Sequence, residues 1–209
     1  MKILVFGMPR TGSTIIQKCI GNYYNIPNYN EPYTGAEVRK ELGDIYNWTS
    51  NLPVGIVKLL SVNLDHVDFK KLINTANFNC IILTTRKNLT DSCVSLYYAE
   101  TIKQYHFTQL PNYSIMPTFT CPVDYATGWI QYYKQYRLSV QFLKDTNTLY
   151  FEIDYDDYLN DVPIQINGKE IIVRNIKEKL GPTIHSNFDY KTLCLNYYEI
   201  EKIIHESIS

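Results

Sequence analysis

Lys2-Ile3-Leu4-Val5-Phe6-Gly7-Met8-Pro9-Arg10-Thr11-Gly12-Ser13-Thr14 is a short apolar run carried into a glycine-framed turn that ends in hydroxyls. Ile3 to Phe6 reads as a buried strand, and Thr14-Ile15-Ile16-Gln17-Lys18-Cys19-Ile20 has apolar residues at helical spacing. Strand, turn and helix in that order aim backbone N–H groups and a helix N-terminus at one point, which is a cradle for phosphate or sulfate.

The frame Gly7, four residues, Gly12, Ser13, Thr14 matches the G-x-x-x-x-G-K-S/T loop of ATP and GTP sites, with serine in the place of the lysine. That lysine normally reaches the β- and γ-phosphates, so a nucleoside triphosphatase would lack its main cation here. Arg10 is the one cation left within the loop.

Composition bounds the rest. The chain has 209 residues, 45% hydrophobic and 20% charged, enough for one substantial core, and residues 1–209 are expected to form a single domain. A formal charge of −1 argues against a nucleic-acid binder. The amino terminus runs directly into the first strand and no stretch reaches the roughly 18 apolar residues of a membrane span, so no signal peptide, no membrane and a cytoplasmic location are expected. Cys19, Cys80, Cys93, Cys121 and Cys194 lack any C-x-x-C pairing, so buried reduced thiols are expected rather than disulfides or zinc.

Further strands are predicted at Gly55–Leu60, Asn79–Thr85 and Thr148–Ile153. Helices are predicted at Ala36–Leu42, Asp65–Asn74, Thr90–Tyr105, Val123–Lys144, Asn175–Leu180 and from Asn196. His106 to Pro122 reads as a lid or substrate wall, and Gln165 to Val173 as a strand pair turning at Asn167-Gly168. Strands alternating with helical stretches give an α/β fold: a three-layer, P-loop NTPase-like domain with a central, mostly parallel sheet.

Pro9-Arg10-Thr11-Gly12-Ser13-Thr14 resembles the P-R-S/T-G-S/T-T loop of sulfotransferases that use 3′-phosphoadenosine 5′-phosphosulfate (PAPS). The resemblance implies that Arg10, Thr11, Gly12, Ser13 and Thr14 hold the 5′-phosphosulfate. A second segment, Thr85 to Tyr97, resembles the 3′-phosphate signature of that family, an arginine closing a strand and a serine about two helical turns on. It implies Arg86 and Ser95 as ligands, with Ser92 as the rival serine. The spacing is one residue longer than in the cytosolic steroid and phenol enzymes, and with Val94-Ser95-Leu96 is more similar to the bacterial enzymes that sulfate trehalose. Where cytosolic enzymes carry K-T-H, this chain has Lys58-Leu59-Leu60, so the histidine base is absent while Lys58 remains as a cation for the transferred group.

Asn30-Glu31-Pro32 resembles the glutamate-containing segment of glutamate-base sulfotransferases, which implies Glu31 as the base that takes the acceptor proton. His66 and His106 are alternatives. Tyr155, in Phe151 to Leu159, resembles the tyrosine of the family's Y-E-D segment and implies an adenine wall. The C-terminal R-K-G clasp is missing, with Lys191 as a candidate substitute. The resemblance covers about residues 1–160. It implies a metal-free transferase moving sulfuryl from PAPS to a hydroxyl of a small molecule or carbohydrate. The alternatives are a P-loop small-molecule kinase and a non-catalytic binding module rich in tyrosine, of which there are 19.

Overall fold

The computed structural model describes residues 1–34, 43–103, 117–159, 163–166, 169–171 and 189–208. Four parallel strands, β1 (Lys2–Gly7), β2 (Gly55–Leu60), β3 (Cys80–Thr85) and β4 (Tyr150–Asp154), form one sheet in the order β2-β1-β3-β4. Helices α1 (Ser13–Tyr24), α2 (Ile45–Asn51), α3 (Phe69–Ala76), α4 (Leu89–Thr101) and α5 (Val123–Asp145) connect or flank them. A short α6 (Tyr155–Leu159), an antiparallel pair β5 (Ile164–Ile166) and β6 (Lys169–Ile171), α7 (Tyr190–Leu193) and α8 (Tyr197–Ile208) complete the described chain.

Strand β1 is apolar throughout because both of its faces are covered. Ile3 and Val5 pack with Ile15, Ile16, Cys19 and Ile20 of α1 on one face. Leu4 and Phe6 join Phe69 and Leu72 of α3, Val94 of α4, Trp129 and Tyr136 of α5, and Ile200 of α8 on the other. The result is the expected helix–sheet–helix layering. All five cysteines are free and buried, and no described helix is long and apolar enough to cross a membrane.

Helix ends follow local chemistry. Asp68 caps α3 by accepting from the Lys71 amide at 3.0 Å, and Asn88 caps α4 by accepting from the Asp91 amide at 2.9 Å. Helix α2 was not anticipated: its sequence, Ile-Tyr-Asn-Trp-Thr-Ser-Asn, has no helical apolar period, and the Asp44 cap opens it. The helices expected at residues 36–42 and 175–180, and residues 106–116 of the expected lid, lie outside the described residues.

Lys2 ties the sheet to two helix ends. Its buried ammonium donates to the carbonyls of Thr49 (2.9 Å), Ser50 (2.8 Å) and Ala76 (2.7 Å) at the C-terminal turns of α2 and α3, of which Thr49 O also accepts from the Leu52 amide at 3.3 Å. Lys2→Met would leave buried carbonyls unsatisfied at a cost of about 3 kcal/mol. The expected result is a melting temperature lower by roughly 6–12 °C in a thermal unfolding scan. An unchanged value would show these bonds to be dispensable.

With β2 and β3 on opposite sides of β1, the connections leaving β1 and β2 diverge. The crevice this opens lies beyond the carboxyl ends of the strands, where α/β proteins bind ligands.

Candidate active site at the loop after β1

The loop is held tightly against β3. A Cβ on Gly7 would stand 1.9 Å from Thr84 Oγ1 and 2.8 Å from the Thr84 carbonyl, so only glycine lets the two strand ends meet. Gly12 has φ of 70°, and a Cβ there would also run into the Tyr155 ring at 2.5 Å. Thr11 Oγ1 donates to the Met8 carbonyl at 2.7 Å and lies 2.7 Å from Thr84 Oγ1. Arg10 adopts a left-handed φ of 65°, uncommon for a residue with a side chain and concentrated at functional turns. Ser13 and Thr14 then open α1; the Ile15 and Ile16 amides close onto the Gly12 carbonyl at 3.0 Å, and the amides before them are those a helix start leaves for a ligand.

Lys58 reaches the end of this loop from β2. In phase with Ile56, it projects from the α1 side of the sheet, and its 3% exposed side chain donates to Thr14 Oγ1 at 2.5 Å. Its ammonium also pairs with Glu31 Oε1 at 2.5 Å. Burial pulls the Lys58 pKa down, and the Glu31 carboxylate opposes that shift. A neighbouring strand thus supplies a cation where the loop lacks its own lysine.

Glu31 is placed by its backbone. The preceding segment runs beside the free edge of β2, with the Ile56 amide donating to Pro27 O (2.8 Å), the Tyr29 amide to Ile56 O (2.9 Å) and the Lys58 amide to Asn30 O (2.7 Å). Gln17, fully buried on α1, donates to the same Asn30 carbonyl at 3.2 Å. Thr34 Oγ1 donates to Glu31 Oε2 at 2.9 Å. The carboxylate is thus fixed at both oxygens while its side chain stays 29% exposed.

Arg10, Ser13, Thr14, Glu31 and Lys58 line one end of a cavity of about 910 Å³. Leu96 of α4 and Tyr125, Trp129 and Tyr132 of α5 form its other wall. The volume falls within the usual range of small-molecule sites.

Arg86, Ser95 and Tyr155 gather on the opposite flank of the loop. Arg86 Nη2 donates to Asp91 Oδ2 at 3.3 Å, its guanidinium lies 5.0 Å from the Tyr155 ring centroid, and its buried Nε has no partner among the described residues. Burial raises the Asp91 pKa, opposed by the Tyr197 hydroxyl, which donates to Asp91 at 2.8 Å, and by Arg86. Tyr155 is 3% exposed, so a base stacking there would share the ring with Gly12 and Arg86.

The two rival serines have different partners. Ser92 Oγ donates to the Pro9 carbonyl at 2.8 Å and so braces the loop. Ser95 Oγ donates to the Ser92 carbonyl at 3.1 Å and contacts the Tyr190 hydroxyl, which Arg10 also bonds. Tyr190 and Asp91 belong to this flank and were not singled out from sequence. Lys191 places its ammonium 5.7 Å from the Tyr197 ring centroid. His66 is exposed and does not line the cavity, and His106 lies outside the described residues.

No protein-family model and no curated protein matches the chain. Among solved structures, a deoxyadenosine kinase from M. mycoides with bound dCTP aligns with a TM-score of 0.41 and 15% identity, covering 86% of this chain and 98% of that one. At this level the two chains differ too much for residues of one to be assigned from the other.

Proposed function

We propose that the chain transfers a sulfuryl group from PAPS to a hydroxyl acceptor, with Glu31 as general base. The observation that carries this reading is the Glu31–Lys58–Thr14 chain, which sets a carboxylate and a buried ammonium at the mouth of an anion-cradling loop facing a cavity. The residues present fit such a donor. Arg10, Lys58 and the first amides of α1 suit its phosphosulfate end, and Arg86, with an unpartnered buried Nε, has donor capacity in reserve for a second phosphate.

The donor supplies an activated sulfuryl group whose sulfur–oxygen bond to phosphate breaks as the acceptor oxygen bonds to sulfur. Glu31 accepts the hydroxyl proton, and its bonds from Lys58 and Thr34 hold the carboxylate toward the cavity. Arg10, Lys58 and the loop amides take up the negative charge that develops on the departing phosphate oxygen. The strand end beside the loop carries Thr84, whose hydroxyl contacts Thr11, where a magnesium-dependent site would place a carboxylate.

One observation favours a second reading, a P-loop kinase. Lys58 brings to Thr14 the ammonium that a nucleotide-binding loop takes from its own lysine, and that charge would serve a triphosphate as well. The two readings separate at Arg86. On the sulfuryl-transfer reading, Arg86→Ala weakens 3′-phosphoadenosine 5′-phosphate at least about tenfold while leaving ATP unaffected, as read by calorimetry. Equal losses for both nucleotides would remove the case for a 3′-phosphate site.

A further inference from the structure

The cavity wall facing Glu31 has a chemistry of its own. Asp124, Tyr125, Gly128, Trp129 and Tyr132 recur at helical spacing along one side of α5, and all five line the cavity. Glu100, from the last full turn of α4, joins them, its Oε2 accepting the Tyr125 hydroxyl at 2.9 Å. Trp129 is 2% exposed, and its indole N–H has no hydrogen-bond partner among the described residues. Gly128 sits inside a 23-residue helix, where glycine costs about 1 kcal/mol against alanine. A Cβ there would meet nothing within 4 Å, so no packing requires glycine and its effect is extra room in the cavity.

We infer that this wall is the acceptor subsite and that it takes a hydroxyl compound carrying a protonated amine, an aminosugar in its simplest form. Among the described residues, three carboxylates, Glu31, Glu100 and Asp124, line the cavity, whereas the two described cations, Arg10 and Lys58, both lie at the loop end and Lys58 is already paired with Glu31. An anionic acceptor would be repelled along the whole α5 wall. An ammonium would meet Glu100 or Asp124 beside the half-buried rings of Tyr125 and Tyr132, the combination of carboxylate and aromatic ring that recognises cationic groups.

This inference rests on the loop being the donor end of the site, and the test separates the two. The chain has two tryptophans, so in Trp48→Phe the emission belongs to Trp129. That background is titrated with glucosamine, glucose and glucuronate while 3′-phosphoadenosine 5′-phosphate is measured independently by calorimetry. The expected result is a saturable emission change with glucosamine at about tenfold lower concentration than with glucose, and none with glucuronate. Adding Glu100→Gln and Asp124→Asn should erase the preference for glucosamine. Gly128→Phe, which fills the cavity at a position with helix propensity to gain, should abolish the emission change while nucleotide binding persists.

Glucose or glucuronate acting as strongly as glucosamine, no response to any sugar, or a full response in Gly128→Phe would each overturn the inference. Nucleotide binding that persists in those cases leaves the donor reading standing. Sugar binding in the expected order without nucleotide binding would sink the donor reading instead.

Discussion

Glu31→Gln is expected to lose about 10²–10⁴-fold in turnover while binding 3′-phosphoadenosine 5′-phosphate as the parent does. The amide oxygen keeps an acceptor for the Lys58 ammonium and the amide NH2 can donate to Thr34 Oγ1 in place of the bond the carboxylate accepted, so the loop mouth keeps its contacts while proton acceptance is removed. Stability should fall by no more than about 1–2 kcal/mol, the cost of weakening one charge-assisted contact that is partly exposed. Single-turnover rates with saturating donor read the chemical step directly. A near-parental rate would remove Glu31 from the role of base.

Lys58→Met should give a protein that folds and does not turn over. The side chain is 3% exposed, and exchanging a buried ammonium for an apolar chain of similar length removes a desolvation cost, so stability should stay level or rise. The remaining carboxylate, Glu31, is exposed enough to be solvated. Activity should fall about 10²–10³-fold, because on the proposed reading the ammonium is the preorganised charge at the point where negative charge develops. A Tm scan beside a rate measurement separates the two effects; a large fall in Tm with a normal specific activity of the folded fraction would contradict the assignment.

A pH dependence follows from the same residue. Burial sets the Lys58 pKa below its ordinary 10.5, so the ammonium is lost as pH rises through that lowered value. The parental rate should therefore decline on the alkaline side before the ordinary lysine range is reached. A rate that stays level up to that range would argue that the ammonium is not required.

The loop was legible because its signal is local. Gly7 and Gly12 frame a turn between an apolar run that reads as a two-sided strand and a helix, whereas the contacts that exclude a side chain there, with Thr84 and Tyr155, come from distant parts of the chain. The strand β2 and Lys58 were legible for the same reason, as a short apolar run with one charge in it. The Lys58–Thr14 bond was not, because it depends on which face of β2 Lys58 occupies and on the parallel register that sets Lys58 beside Val5. Nor was the support of Glu31, which comes from Gln17 on α1 and from backbone bonds along the edge of β2.

The Arg86 flank was half legible. The arginine stood out at a strand end, whereas Asp91, in the first turn of α4, became visible as its partner only once α4 was oriented. The same rotation decides what Ser92 and Ser95 touch, which spacing alone leaves open. Tyr190 lies far along the chain from Arg10 and Ser95, and no local pattern marks it.

The central claim is that the loop and Arg86 together hold a 3′,5′-bisphosphorylated adenosine. Calorimetry of the protein with 3′-phosphoadenosine 5′-phosphate without metal, beside ATP with magnesium, tests it most directly. The account predicts micromolar binding of the former and a much weaker response to the latter. Preference for magnesium-ATP would favour the kinase reading, and no response to either nucleotide would contradict both catalytic readings.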